Sequence, residues 1–79
     1  MNYTQIQTAI TNNQSFTHSS NMTAMNEWRG SHEFYVIYFY TTEVFTQDLE
    51  NGETWINPQK YSQTTSRQVN LIKKAKNLN

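Results

Sequence analysis

The chain has 79 residues, six acidic and six basic side chains, and no cysteine. That length makes one small domain with a thin core, and the missing cysteines exclude a disulfide framework and a zinc–thiolate site. Nothing in it approaches the ~20 consecutive apolar residues of a membrane span.

In chain order, the first segment reads as a short helix. Tyr3, Ile6 and Ile10 fall at helical spacing beside Ala9, and Asn2 can cap with Gln5 three residues on. Asn12 and Asn13 then break the pattern. From 14 to 28, Phe16, His18, Ser20, Met22, Ala24 and Trp28 share one parity, as a pair of short strands requires, with Ser19–Ser20–Asn21 as the turn. The competing reading is a short helix from Ser20 carrying Met22, Met25 and Trp28; the strand reading is preferred. Gly30–Ser31 marks a loop.

The stretch "EFYVIYFYTTEVFTQ" is dense in the aromatic and β-branched residues that fill strands. Both of its faces are apolar up to about residue 40, so a central strand covered on both sides is expected there. "LENGETWI" reads as a hairpin, with Asn51–Gly52 as a two-residue type I′ turn. That turn sets Glu50 against Glu53, Leu49 against Thr54 and Asp48 against Trp55. Pro58 ends the returning strand.

The final segment is an amphipathic helix. Thr65, Ser66, Arg67 and Gln68 match the capping-box pattern, with Thr65 as the cap. Beyond them Val69, Leu71, Ile72, Ala75 and Leu78 share one half of the helical wheel. Arg67, Asn70, Lys73, Lys74 and Asn77 take the other half, with Lys76 at the boundary. The fold class expected is α+β: an antiparallel sheet of three or four strands with a helix at each end of the chain.

Net charge zero conceals segregation along the chain. All six acids lie between Glu27 and Glu53, and five of the six bases between Lys60 and Lys76. Such an uncharged polar surface is weakly protected against self-association, so a homodimer is open. The opening "MNYTQIQTAI" has neither a basic region nor an apolar run, which predicts no secretory signal and a cytoplasmic location.

Candidate chemistry is sparse. His18 and His32 have no metal-ligand spacing, and neither sits with a nucleophile and an orienting group. His32 and Glu33 are adjacent, so on a strand they point to opposite faces. No enzyme activity, cofactor or metal is expected. The stronger candidates are binding surfaces. Interfaces favour Tyr, Trp and Arg as anchors, which singles out Tyr38, Tyr40, Trp55 and Arg67 for a protein partner. Alternatively the basic helix face, with Arg67, Lys73, Lys74 and Lys76, lies along nucleic-acid phosphates.

The second half of the chain also resembles a set of small phage and mobile-element proteins of uncharacterised function. An aromatic strand of the form Tyr-x-Val-x-x-Tyr-x-Thr falls here on Tyr35, Ile37, Tyr40 and Thr42. A Tyr-Ser-x-Thr-Thr-Ser-Arg motif falls on Tyr61, Ser62, Thr64, Thr65, Ser66 and Arg67. The likeness spans roughly residues 34–69, with Gln68 where His is expected and Phe39 where Ser is expected. It implies a phage or mobile-element accessory protein acting inside the host cell. It also implies a host protein or protein–nucleic acid complex as partner, including defence components such as CRISPR effectors, which would make it an anti-CRISPR inhibitor.

Overall fold

Asn2 opens the first helix, α1 (Tyr3–Thr11), through a complete capping box. Its Oδ1 accepts from Gln5 N, and Gln5 Oε1 accepts from Asn2 N, both at 2.9 Å. The computed structural model describes residues 2–18, 22–57 and 63–78, with side chains in the last stretch described from Arg67 onward. Within these limits α1 is followed by five strands and a second helix. The strands are β1 (Phe16–His18), β2 (Met22–Arg29), β3 (His32–Phe39), β4 (Thr42–Asp48) and β5 (Thr54–Ile56), and the helix is α2 (Gln63–Lys76). None of the described helices is long and apolar enough to cross a membrane.

The α+β class is as expected, with one strand more than the upper count. The sheet is an antiparallel meander in the order β1-β2-β3-β4-β5, so the aromatic-rich β3 is central. The described part of residues 16–28 forms β1 and β2, and the parity reading holds: Phe16 pairs with Ala24 and His18 with Met22. The proposed turn Ser19–Ser20–Asn21 lies outside the described residues.

The extra strand comes from a turn that carries none of the usual signals. The long aromatic run does not continue through residue 40. It reverses at Tyr40–Thr41, so Phe39 pairs with Thr42 and Tyr38 with Glu43. Tyr40 adopts φ 58, a backbone conformation that glycine takes freely and aromatic residues rarely do. A bulge at the next step lets the adjacent Val44 and Phe45 both join the core, since a bulge adds one residue to one strand.

The β4–β5 hairpin is shifted from its expected register. Trp55 stands opposite Thr46, and Thr54 opposite Gln47, two residues from the type I′ pairing. The cause is Asp48. Its Oδ1 accepts from Glu50 N at 2.8 Å and Asn51 N at 3.3 Å, and its backbone N donates to Glu53 O at 2.8 Å. Residues 49–52 thus form a wider loop in which Gly52 alone has positive φ, +79. Pro58 lies outside the described residues.

One face of the sheet carries the core. Ile6 and Ile10 of α1 and Ile72 of α2 pack on Met22, Ala24, Tyr35, Ile37, Phe39, Val44 and Phe45. Burying each of the larger side chains contributes about 1.5–3 kcal/mol. Val69, Leu71, Ala75 and Leu78 flank this cluster as the helical wheel predicts. Tyr3 does not join it and is 54% exposed. Helix α2 already runs from Gln63, so Thr65 lies inside its first turn rather than at the cap. Gln68 is buried. The two helices are joined by Thr11 Oγ1 donating to Ala75 O at 3.3 Å.

Candidate functional site

Both helices lie on the same side of the sheet, so the expectation of two covered faces around residues 34–40 is corrected. The second face has no layer above it among the described residues. Strand alternation places the odd residues of β2 there with the even residues of β3. Cross-strand register then defines three rows: Thr23, Tyr38 and Glu43; Met25, Val36, Thr46 and Trp55; Glu27, Phe34 and Asp48. Arg29 and His32 close the face at the β2–β3 hairpin. Val36 is nonetheless fully buried, in the middle of its row.

A long arginine helps to cover this face. The Arg29 guanidinium lies 5.7 Å from the centre of the Phe34 ring and spans β3 to reach Glu43, with Nη2–Oε1 at 2.7 Å and Nη1–Oε2 at 3.3 Å. It also meets Glu27 at 3.4 Å. Glu27 in turn accepts from the Tyr38 hydroxyl at 2.5 Å, and the Thr46 hydroxyl donates to Glu43. The hydrogen bond to Glu43 raises the pKa of Arg29 against the cost of burial. The same bond holds the Glu43 carboxyl below its ordinary range. The hydrogen bond to Glu27, with burial second, raises the pKa of the Tyr38 phenol.

A second cluster lies beside it. His32 Nδ1 is 2.7 Å from Asp48 Oδ2, and its Nε2 is 3.1 Å from Glu50 Oε2. A carboxylate at each nitrogen favours the imidazolium form, in which both nitrogens donate. The hydrogen bond to Asp48 raises the His32 pKa and lowers that of Asp48. The three side chains offer donor atoms within 4.8 Å of one another, the ligand types of a divalent cation. In the imidazolium form the ring supplies positive charge to the two carboxylates, and a metal would have to displace its proton. Sequence reading missed this cluster because His32 and Asp48 are 16 residues apart. It comes together only through the β3–β4 register.

The predicted anchors divide between surfaces. Tyr38 is half-buried within the uncovered face and tied to Glu27. Trp55 stands on the edge strand of that face, 47% exposed, and Tyr40 projects from the β3–β4 turn, 73% exposed. Arg67 is on α2, on the other side of the sheet. There a shallow groove between the helices is lined by Tyr3 and Gln7 of α1 and by Arg67, Asn70, Leu71 and Lys74 of α2. Lys76 turns inward: its ammonium donates to Asn13 Oδ1 and sits 5.4 Å from the Tyr35 ring centre. Burial lowers its pKa. Lys60, Tyr61 and Ser62, and the side chains of Thr64, Thr65 and Ser66, lie outside the described residues.

The fold and these surfaces define a two-layer α+β domain with helices on one face of its sheet and a polar, aromatic-edged opposite face. Compared with protein-family models, curated proteins and solved structures, the chain matches none.

Proposed function

We propose that this protein is an interaction module that docks its uncovered sheet face on a basic surface of a partner protein. The observation that carries the reading is the uncovered face itself. Glu27, Glu43 and Asp48 lie on it with Glu50 and Glu53 at its rim, against Arg29 and His32 alone among the described residues. Two exposed aromatic side chains, Tyr40 and Trp55, flank it. Aromatic anchors supply desolvated contact area, and complementary charge steers encounter with a positive surface. Following the resemblance in its second half, the partner is a host protein, and a basic nucleic-acid groove of a defence complex such as a CRISPR effector fits the acidic face. The protein would then act as an inhibitor encoded by a phage or mobile element.

The test is cross-linking and mass spectrometry on the protein in host lysate. A Tyr40→Ala/Trp55→Ala variant and a Lys73→Glu/Lys74→Glu variant run beside the native chain. The reading requires one captured protein, cross-linked at the sheet face, to be lost in the aromatic variant and kept in the helix variant. Capture indifferent to Tyr40 and Trp55 rejects it.

The second reading is nucleic-acid binding by α2, favoured by the groove that sets Arg67 and Lys74 beside Tyr3. It calls for salt-sensitive binding of an oligonucleotide that is lost in the Lys73→Glu/Lys74→Glu variant.

A further inference from the structure

Strand β2 is longer than the strand that covers its outer edge. β1 pairs with Met22, Thr23 and Ala24 only, whereas β2 continues to Arg29 and is paired with β3 along its whole length. Residues 25–29 therefore present an outer edge that no strand among the described residues pairs with. Alternate residues of such an edge turn their N–H and C=O groups outward, a template for a further strand.

Edges are commonly guarded by proline, lysine or free charge. This one has neither proline nor lysine. Its two charged residues, Glu27 and Arg29, are drawn onto the uncovered face by Tyr38 and Glu43. Beside the edge stand Met25, 38% exposed, and Trp28, 69% exposed, with the uncharged Asn26 between them.

We propose that this edge is a dimer interface, in which residues 25–29 pair antiparallel with residues 25–29 of a second copy of the chain. The geometry favours a second copy over an unrelated strand in three ways. The free segment ends at the Gly30–Ser31 hairpin, so two such segments overlap fully about a two-fold axis with no chain running on into the neighbour. Each hairpin tip then arrives at the start of the other copy's edge. A concavity lies there, lined by Asn13, Gln14, Ser15, Met25 and Asn26.

Third, with the axis through Glu27 the two Glu27 carboxylates face each other, an unfavourable pair tempered because each is held by its own Tyr38 and Arg29, and the flanking side chains match. On the uncovered face Met25 stands opposite Arg29 of the second copy, and each Arg29 is diagonal to the other copy's Glu27, within reach of a long side chain. On the helix face Trp28 stands opposite Asn26, and each indole gains cover. The zero net charge of the chain leaves no long-range repulsion to oppose the approach. The dimer has one continuous sheet with all helices on one side, an isologous arrangement. It merges the two uncovered faces into one.

The experiment is light scattering coupled to size exclusion over a concentration series. The native chain should run at twice its monomer mass. A Met25→Lys/Trp28→Lys variant should run as a monomer with an unchanged circular dichroism spectrum, and Trp55→Lys, on the opposite edge, should remain dimeric. A native chain that stays monomeric at its highest soluble concentration overturns the proposal. So does a Met25→Lys/Trp28→Lys variant that stays dimeric. Because the chain has no cysteine, Glu27→Cys provides an independent check that needs no lysine variant to fold. Two thiols facing across the axis lie near disulfide range, so mild oxidation should give a covalent dimer, and its absence counts against the proposed pairing.

Discussion

Arg29 and Glu43 belong to strands that do not adjoin, β2 and β4, yet their side chains meet at 2.7 Å across the whole width of β3. The arginine passes over Phe34 to do so. The ion pair is therefore also a cover, and the apolar residues of an otherwise unlayered sheet face depend on it. A long side chain with an apolar stem and a charged head suits that position.

Arg29→Lys keeps the charge but loses the two-pronged contact and the planar group over the ring, so it is not conservative here. The pair is partly exposed, so the expected cost is modest, about 0.5–1.5 kcal/mol. For a domain of this size that corresponds to several degrees of melting temperature. Thermal melts of the two chains check it. The folded Glu43 carboxyl lies below its ordinary value of 4.5, so its stabilisation is complete above that pH and is lost as pH falls through the lowered value. Acid titration of the lysine variant should show a shallower loss over that range.

His32 gives the opposite pH dependence. Its folded pKa is raised above the ordinary 6.5, so the imidazolium stabilises in full below that pH and progressively less as pH rises through the raised value. Asp48, its partner, is lowered from 3.8; its contribution holds above 3.8 and fades as pH drops through the lowered value. Stability of the native chain against denaturant should therefore fall as pH climbs past 6.5. His32→Gln should flatten that alkaline slope, and an unchanged slope would show that the ring does not pin the β4–β5 loop.

Tyr40→Gly separates stability from binding. At φ 58 an L-residue carries a penalty of roughly 1–2 kcal/mol that glycine avoids, partly offset by glycine's greater entropy in the unfolded chain. The variant should gain about 0.5–1 kcal/mol by chemical denaturation. If Tyr40 is a partner anchor, the same change should weaken capture of the partner. A stabilised variant that binds as well as the native chain would remove Tyr40 from the interface.

Period, parity and the Asn2 cap were legible from the residues alone. Asn2 with Gln5, the apolar half of α2, and the shared parity of Phe16, His18, Met22 and Ala24 each reflect local geometry that tertiary packing left intact. The Tyr40–Thr41 reversal was not legible. Its residues favour a strand, and only cross-strand pairing forces the strained φ. The β4–β5 register was misread because Asn51–Gly52 carries a strong local signal, which the Asp48 carboxylate overrides by capping a wider loop. The Arg29–Glu43 and His32–Asp48 pairs depend on register across two or three strands, which spacing along one chain does not encode. That both faces of β3 are apolar was visible. That one of them is covered by an arginine rather than a helix was not.

Lys76 should part company with the other bases of α2. Its ammonium is directed at Asn13 and the Tyr35 ring, so it is already engaged, whereas Arg67 and Lys74 line the open groove between the helices. If α2 binds a polyanion, each phosphate contact on duplex DNA should contribute about −0.9 to the slope of log K against log salt. Lys74→Ala and Arg67→Ala should each reduce the slope by about that amount, and Lys76→Ala should leave it unchanged. Removal of Lys76 should instead cost stability, about 0.5–2 kcal/mol for a cation held against an aromatic ring away from water, read from a denaturant midpoint. A Lys76 variant that changes the salt slope with its midpoint intact would mean that the side chain leaves Tyr35 to contact the ligand.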